Sequence, residues 1–304
     1  MNKEFKIDKE FGDVIYNDKL HLYIDKNDNV KYISVTTLIG KFEQFFDEDF
    51  WSKYKVIEKL VTPDIFKARK GGLLNNKKID DKILLSFNLD LNLVKDEVNK
   101  LLAEWKETNR IACERGTEIH AKFENLFYKR DFNIINKFDI TNDYICKQNN
   151  YDILKYDKGI FPELLMYYKT SNGILRIAGQ ADIIIKDGND IWVLDFKTNK
   201  KLDQKSYFDT KTKKNKVMLY PLNNLMDCNM IHYQLQLSTY AWILQKMNPD
   251  FNIKLLEIIH FDHDGNENRY DLEYIPNDVE RMLKFYGKQL EHEKFLKENE
   301  RLKF

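Results

Sequence analysis

The chain of 304 residues holds only three cysteines (Cys113, Cys146, Cys228), too few and too far apart for a disulfide framework or a cysteine-rich metal site. With 5 proline and 11 glycine it contains no collagen-like, low-complexity or linker-rich segment. It has no excess charge of either sign, since 49 Lys and Arg face 49 Asp and Glu. That balance excludes a protein coating nucleic acid by bulk charge, but not one whose acidic site cancels a basic groove. Only eight of the cationic side chains are arginine. Long apolar runs are missing as well. The longest stretch without a charged residue, Cys228 to Gln245, carries Asn229, His232, Gln234, Gln236 and Gln245, too polar for a membrane span. The opening Met1-Asn2-Lys3-Glu4-Phe5 has no apolar stretch of a signal peptide behind it. The remainder, 43% hydrophobic and 32% charged, describes a folded chain expected in the cytoplasm, the host cell's if the protein is viral.

Local patterns divide the chain without an internal repeat. Val14–Tyr16, His21–Ile24 and Lys31–Val35 read as short strands, with turn chemistry at Asp25 to Asn29. Thr36 or Thr37 suits an N-cap for a short helix through Leu38, Ile39 and Phe42. Asp47 to Glu107 is mostly helical by its apolar spacing, and Asn109 to Tyr128 is a further helix. Strands follow at Glu163–Tyr168, Ile174–Ile185 and Ile191–Lys197. Then come a helix from Met230 to Met247, a hairpin of Ile253–Phe261 with Arg269–Tyr274, and a charged helix from Asn277. This order predicts an α/β protein with a mixed central sheet flanked by helices. Residues 1–110 form a mostly helical N-terminal elaboration packed on a core of residues 111–304, one structural domain overall.

Two carboxylates and one lysine draw attention. A tight turn joins the strand of Asp182 to the strand of Asp195, so a hairpin can bring both carboxylates to one end of a sheet. Asp195 and Lys197 are two apart and share a side of a strand that is otherwise apolar. Charges placed there are costly unless paired or metal-bound. Two carboxylates beside one lysine suit a hard divalent cation with a phosphate above it. Alone, Asp-x-Lys is a short pattern that an ordinary ion pair on an edge strand also satisfies.

The ordered set is more specific. Gly116-Thr117-Glu118-Ile119-His120, then Glu163, then Gly179-Gln180-Ala181-Asp182, then Asp195-Phe196-Lys197, then Gln236-Leu237-Ser238-Thr239-Tyr240 occur in sequence order. This series resembles the RecB-type nucleases of the PD-(D/E)XK superfamily, tightly over His120 to Tyr240. The segments Met218–Tyr233 and Val35–Ile39 are similar to stand-alone phage exonucleases.

The resemblance implies a restriction-endonuclease-like fold and a metal-dependent DNA exonuclease of phage recombination, replication or repair. Alternatives are an endonuclease or single-strand-specific nuclease of the same fold, or a non-catalytic nucleic-acid-binding module. His120, Asp182 and Asp195 match positions that hold Mg²⁺ or Mn²⁺, with the Phe196 backbone carbonyl as a further ligand. Glu163 matches an acidic position supporting the metal or a second ion, and Lys197 the catalytic lysine. Gln236 and Tyr240, on one helical face, match the helix over the active site. DNA is the expected partner, a single-strand annealing protein or further copies of the chain are candidate partners, and no membrane is expected. With no cysteine after Cys228 an iron–sulfur cluster is not expected, and with no P-loop neither is a nucleotide. The basic loop Lys205 to Lys216 either holds phosphates or is a solvated hairpin tip. Tyr207, Phe208 and Tyr220 are expected to be core or hairpin packing rather than base-stacking platforms, and His260 and His263 to be structural.

Overall fold

The structure is a computed structural model that describes residues 8–76, 78–146, 152–209 and 213–301. Four short strands open the chain: β1 (Lys9–Phe11), β2 (Val14–Asn17), β3 (Leu22–Asp25) and β4 (Lys31–Ser34). Four helices follow: α1 (Val35–Gly40), α2 (Glu48–Leu60), α3 (Pro63–Leu73) and α4 (Asp81–Ser86). A long helix, α5 (Leu91–Tyr128), leads to the strands β5 (Lys158–Lys169), β6 (Arg176–Asp187) and β7 (Asp190–Lys197). The small strands β8 (Phe208–Asp209) and β9 (Lys214–Asn215) come next. The chain then forms α6 (Asn229–Met247), β10 (Asn252–Phe261), β11 (Glu267–Leu272) and α7 (Pro276–Arg301).

Capping chemistry sets several of these boundaries. Asp47 and Asp80 accept the N–H groups of Phe50 and Ile83 to start α2 and α4, and Pro63 begins α3 where a missing N–H costs nothing. The cap of α1 is Ser34, which accepts from the Thr37 N–H, rather than Thr36 or Thr37. The expected break near residue 108 is not there, and α5 runs through it. Thr108 Oγ1 donates to the Glu104 carbonyl at 2.8 Å, and Arg110 pairs with Glu107 and Glu114, so neither polar side chain competes with the helix.

Residues 1–44 and 116–304 form one compact unit and residues 45–115 a second. The second is helical around Phe50, Tyr54, Ile57, Phe66, Leu73, Ile79 and Val94. The first is built on a mixed sheet in the order β1-β2-β3-β4-β6-β7-β10-β11, with β5 also pairing β6. β4 runs parallel to β6 and β10 parallel to β7, and the remaining pairs are antiparallel. This is a mixed α/β arrangement consistent with a restriction-endonuclease-like fold. Alternation along the strands assigns its faces. Ile191 and Val193 join the cluster containing Leu237, Tyr240 and Ile243 of α6, whereas Leu194 and Phe196 join Phe123 and Phe127 of α5. No helix among the described residues is long and apolar enough to cross a membrane.

Candidate active site

The site forms where two strands part. β6 and β7 pair from the Asp187–Asp190 turn as far as Ile183 and Leu194. Extending that register by one residue sets Asp182 opposite Asp195, at the mouth of the fork. On the other edge of β6 the register of β5, with Pro162 facing Ile183 and Leu164 facing Ala181, sets Glu163 opposite Asp182. Three carboxylates therefore stand in one row across β5, β6 and β7, with strands about 4.8 Å apart. Like charges directly opposite one another repel, so this row needs cations. Across the fork, the Phe196 N–H donates to Asp182 Oδ2 at 2.6 Å, which fixes one Asp182 oxygen and leaves the other to the site.

His120 reaches the row from α5. Phe123, one turn further on, stacks on Phe196 at 4.4 Å between centroids and on Phe261 at 5.2 Å, which seats the helix against the strands. His120 Nδ1 then lies 3.2 Å from Asp182 Oδ1 and 3.6 Å from Glu163 Oε1. One ligand atom from each of His120, Glu163 and Asp182 falls within 4.8 Å of the others, close enough to hold a metal ion. Glu163 occupies this position with a left-handed backbone, φ 49°, which a non-glycine residue adopts at a cost of about 1–3 kcal/mol.

Asp195 belongs to the adjoining half of the site rather than to that three-residue group. Its Oδ2 is 2.5 Å from Lys197 Nζ, and its Oδ1 accepts from Gln236 Nε2 at 3.3 Å. Lys197 donates to Gln236 Oε1 at 3.3 Å and lies 4.6 Å from the centre of the Tyr233 ring. Gln236 Nε2 also donates to the Tyr240 hydroxyl at 3.2 Å. Asp195 Oδ2 is buried, and its partner is the Lys197 ammonium, which meets it as an ion pair rather than in hydrogen-bond geometry. What Phe196 gives the site here is its N–H.

The charges shift one another in a readable way. The Asp182 carboxylate, against the opposing effect of burial, pushes His120 up to about 11. Burial and then Asp182 push Asp195 up to about 6, and burial raises Glu163 against the pull of His120. For Asp182, burial is outweighed by His120, Lys197 and the Phe196 N–H, and the carboxyl stays below its ordinary value. Lys197 is held above its ordinary value because Asp195 and Asp182 overcome its burial. These carboxylates favour a proton on His120, and a divalent ion would compete with it for the same place.

Sequence reading missed Lys9. Its Nζ donates to Gln180 Oε1 at 2.7 Å and to the Glu163 carbonyl at 3.4 Å, and lies 4.0 Å from Glu163 Oε2. No local signal marks it, since β1 is only three residues long, Lys9-Glu10-Phe11. Gln234 donates to the Glu273 carbonyl at 2.9 Å, away from the carboxylate row. His260 is buried with Nε2 2.7 Å from the Asn199 carbonyl, while His263 is exposed. Of the basic loop, Lys205, Lys213, Lys214 and Lys216 are exposed, and Lys211 lies outside the described residues. Tyr207, Phe208 and Tyr220, expected in core or hairpin packing, are 69%, 51% and 68% exposed, with Phe208 in the β8–β9 hairpin and Tyr220 edge-on to Phe285.

No family model and no curated protein sequence matches the chain. Among solved structures, a protein designated SSO0001 aligns at 16% identity over 64% of this chain and 67% of its own, with a TM-score of 0.32. An exonuclease candidate from Eubacterium rectale aligns at 9% identity over 86% and 79%, with a TM-score of 0.30. Superpositions this loose leave the functional reading to rest on the site itself.

Proposed function

We propose that this chain is a metal-dependent deoxyribonuclease of the PD-(D/E)XK type, acting as an exonuclease on DNA. One observation carries the reading: the fork at Asp182 and Asp195 aligns Glu163, Asp182 and Asp195 in one row, with His120 on one side and Lys197 on the other. A hydrolase of phosphodiesters needs an anion-rich cradle for a divalent cation and a fixed cation for the charge that develops on phosphorus. The donor set fits such an ion, with carboxylate oxygens from Glu163 and Asp182 and one imidazole from His120.

His120, Glu163 and Asp182 would hold Mg²⁺ or Mn²⁺, with Asp195 completing the acidic row. When bound, such an ion polarises the scissile phosphate and lowers the pKa of water. The chain's own residues do the rest. Lys197, a cation beside Asp195, is placed to orient the attacking water and to offset the charge that develops on the phosphate oxygens. Gln236 holds Lys197 and Asp195 in register with one amide, its oxygen accepting from the lysine and its nitrogen donating to the carboxylate. Tyr240 fixes that amide from one helical turn away. The new bond joins water oxygen to phosphorus as the ester P–O bond breaks; the proton of the water passes to solvent, and the departing ester oxygen takes one up from solvent to leave as an alcohol. A place in phage recombination, replication or repair follows from the sequence resemblance.

The reading predicts that the parent degrades linear duplex in Mg²⁺ or Mn²⁺ but not in EDTA, leaves closed circular DNA intact, and loses about 10²–10³-fold in rate on Lys197→Ala. A time course on both DNA forms measures this. Cutting of the circle would make the enzyme an endonuclease on the same site. Unchanged rates in the variant would remove Lys197 from the chemistry.

A further inference from the structure

A second lysine stands at the far end of the carboxylate row from Lys197. Lys9 Nζ donates to Gln180 Oε1 at 2.7 Å and to the Glu163 carbonyl at 3.4 Å, and lies 4.0 Å from Glu163 Oε2. Three oxygens thus face the ammonium: one from an amide, one from the backbone and one from a carboxylate. A hard divalent cation takes oxygens of these same kinds. The sheet holds the lysine in this place. Lys9 pairs in register with Tyr16, and Tyr16 with Tyr23. The two tyrosine rings stack at 4.6 Å between centroids, and Gln180 Nε2 donates to the Tyr23 hydroxyl at 3.4 Å.

The oxygens of the row are shared out among fixed partners. Glu163 divides its carboxylate, with Oε1 3.6 Å from His120 Nδ1 and Oε2 toward Lys9. Asp182 gives Oδ2 to the Phe196 N–H and keeps Oδ1 for the His120 side. Asp195 has one oxygen on Lys197 and the other on Gln236. What the row leaves for a metal is one oxygen each of Glu163 and Asp182, with the His120 imidazole. The charges agree. With all three carboxylates ionised, Lys9 and Lys197 leave the row one positive charge short of neutral, which a single divalent ion more than supplies. A second ion would have to enter against the first and against both lysines, at separations where like charges repel strongly.

We propose that Lys9 fills the place of a second metal ion, so that the site takes one divalent cation per chain. This rests on the nuclease reading above and adds to it the number of ions and the residue that sets that number. Lys9 is a positioning residue whose effect passes through Glu163. It meets both the carbonyl and the carboxylate of that residue, which sits with a left-handed backbone at φ 49°. Its charge lies where a second cation would otherwise be drawn by Glu163 and Gln180.

Calorimetric titration with Mn²⁺ counts the ions, and the electron paramagnetic resonance of bound Mn²⁺ shows whether two of them are coupled. The parent is expected to bind one Mn²⁺ per chain with an uncoupled spectrum. Lys9→Gln, which removes the charge, and Lys9→Ala, which also empties the place, are expected to bind two with a coupled spectrum. The second ion should bind the variants about tenfold or more tighter than any second ion on the parent, since a neighbouring positive charge has gone. Two coupled ions on the parent overturn the proposal, and this measurement needs no variant. A single uncoupled ion on both variants, as on the parent, also overturns it. Either result leaves the nuclease reading standing. A parent that binds one Mn²⁺ and variants that bind two, with no cleavage of linear or circular DNA by the parent, support the part played by Lys9 and remove the nuclease reading. A parent that binds no Mn²⁺ overturns both.

Discussion

At the scale of single residues, two positions show how closely the site is fitted. Glu163 accepts a left-handed backbone in the middle of a strand, and Lys9 meets both its carbonyl and the neighbouring Gln180. Strain of this kind persists where the surroundings over-determine it, and it clusters at functional sites. Gly179 is the other. A Cβ there would stand 2.7 Å from Tyr240 Cε1, so the Gly179-x-x-Asp182 segment and the Gln236–Tyr240 helix face require each other through direct contact. Gly179→Ala is expected to cost about 1–3 kcal/mol in stability through overpacking. By displacing Tyr240 and with it Gln236, it should also lower the rate on the order of 10²-fold. Urea unfolding and single-turnover cleavage measure the two effects. An alanine variant with parental rate would separate Tyr240 from the positioning of Lys197.

At the scale of elements, β3 is pinned to β5 and β6 by a buried charge cluster. Asp25, fully buried, takes Lys169 at 2.8 Å, Arg176 at 3.0 Å and the Tyr32 hydroxyl at 3.1 Å. Burial pushes the Asp25 carboxyl up, but Lys169, the Asn27 N–H and Tyr32 outweigh it and hold it below the ordinary value. Arg176 pulls the neighbouring Asp28 down to about 2. Carboxyls lowered on folding stabilise the protein above their unfolded pKa, near ~4, and that contribution is lost as pH falls through the folded value. The melting temperature of the parent should therefore drop between about pH 4 and pH 2. Asp25→Asn, which leaves two cations facing a neutral amide, should cost about 3 kcal/mol at pH 7 and flatten the acid slope. Circular-dichroism melts across that range check both, and parallel slopes would mean that Asp25 carries no linkage. The elements also differ in how much the sequence revealed. β5, β6, β7 and α6 were legible because short apolar runs such as Ile183–Ile185 and Ile191–Leu194, a two-residue turn and a four-residue helical spacing are local signals. β1 was missed because three residues, of which only Phe11 is apolar, set no alternation and owe their place to pairing with β2. The partition of Asp195 from His120, Glu163 and Asp182 was also out of reach, because it depends on where two strands diverge.

At the scale of the whole molecule, the balance of 49 cations and 49 anions now has a spatial meaning. Carboxylates are concentrated in one row at the fork of the sheet, and exposed lysines gather around the β8–β9 hairpin. The five-part motif series showed that such residues were present and in order. It could not show that one backbone N–H, from Phe196, fixes Asp182 across the open fork. The central claim is that His120, Glu163 and Asp182 act together as a cation site, and calorimetric titration with Mn²⁺ tests it most directly. The account predicts saturable binding to the parent, lost in Asp182→Asn while the circular-dichroism spectrum and melting transition remain those of a folded chain. Equal Mn²⁺ binding by parent and variant, or none by a folded parent, would contradict it.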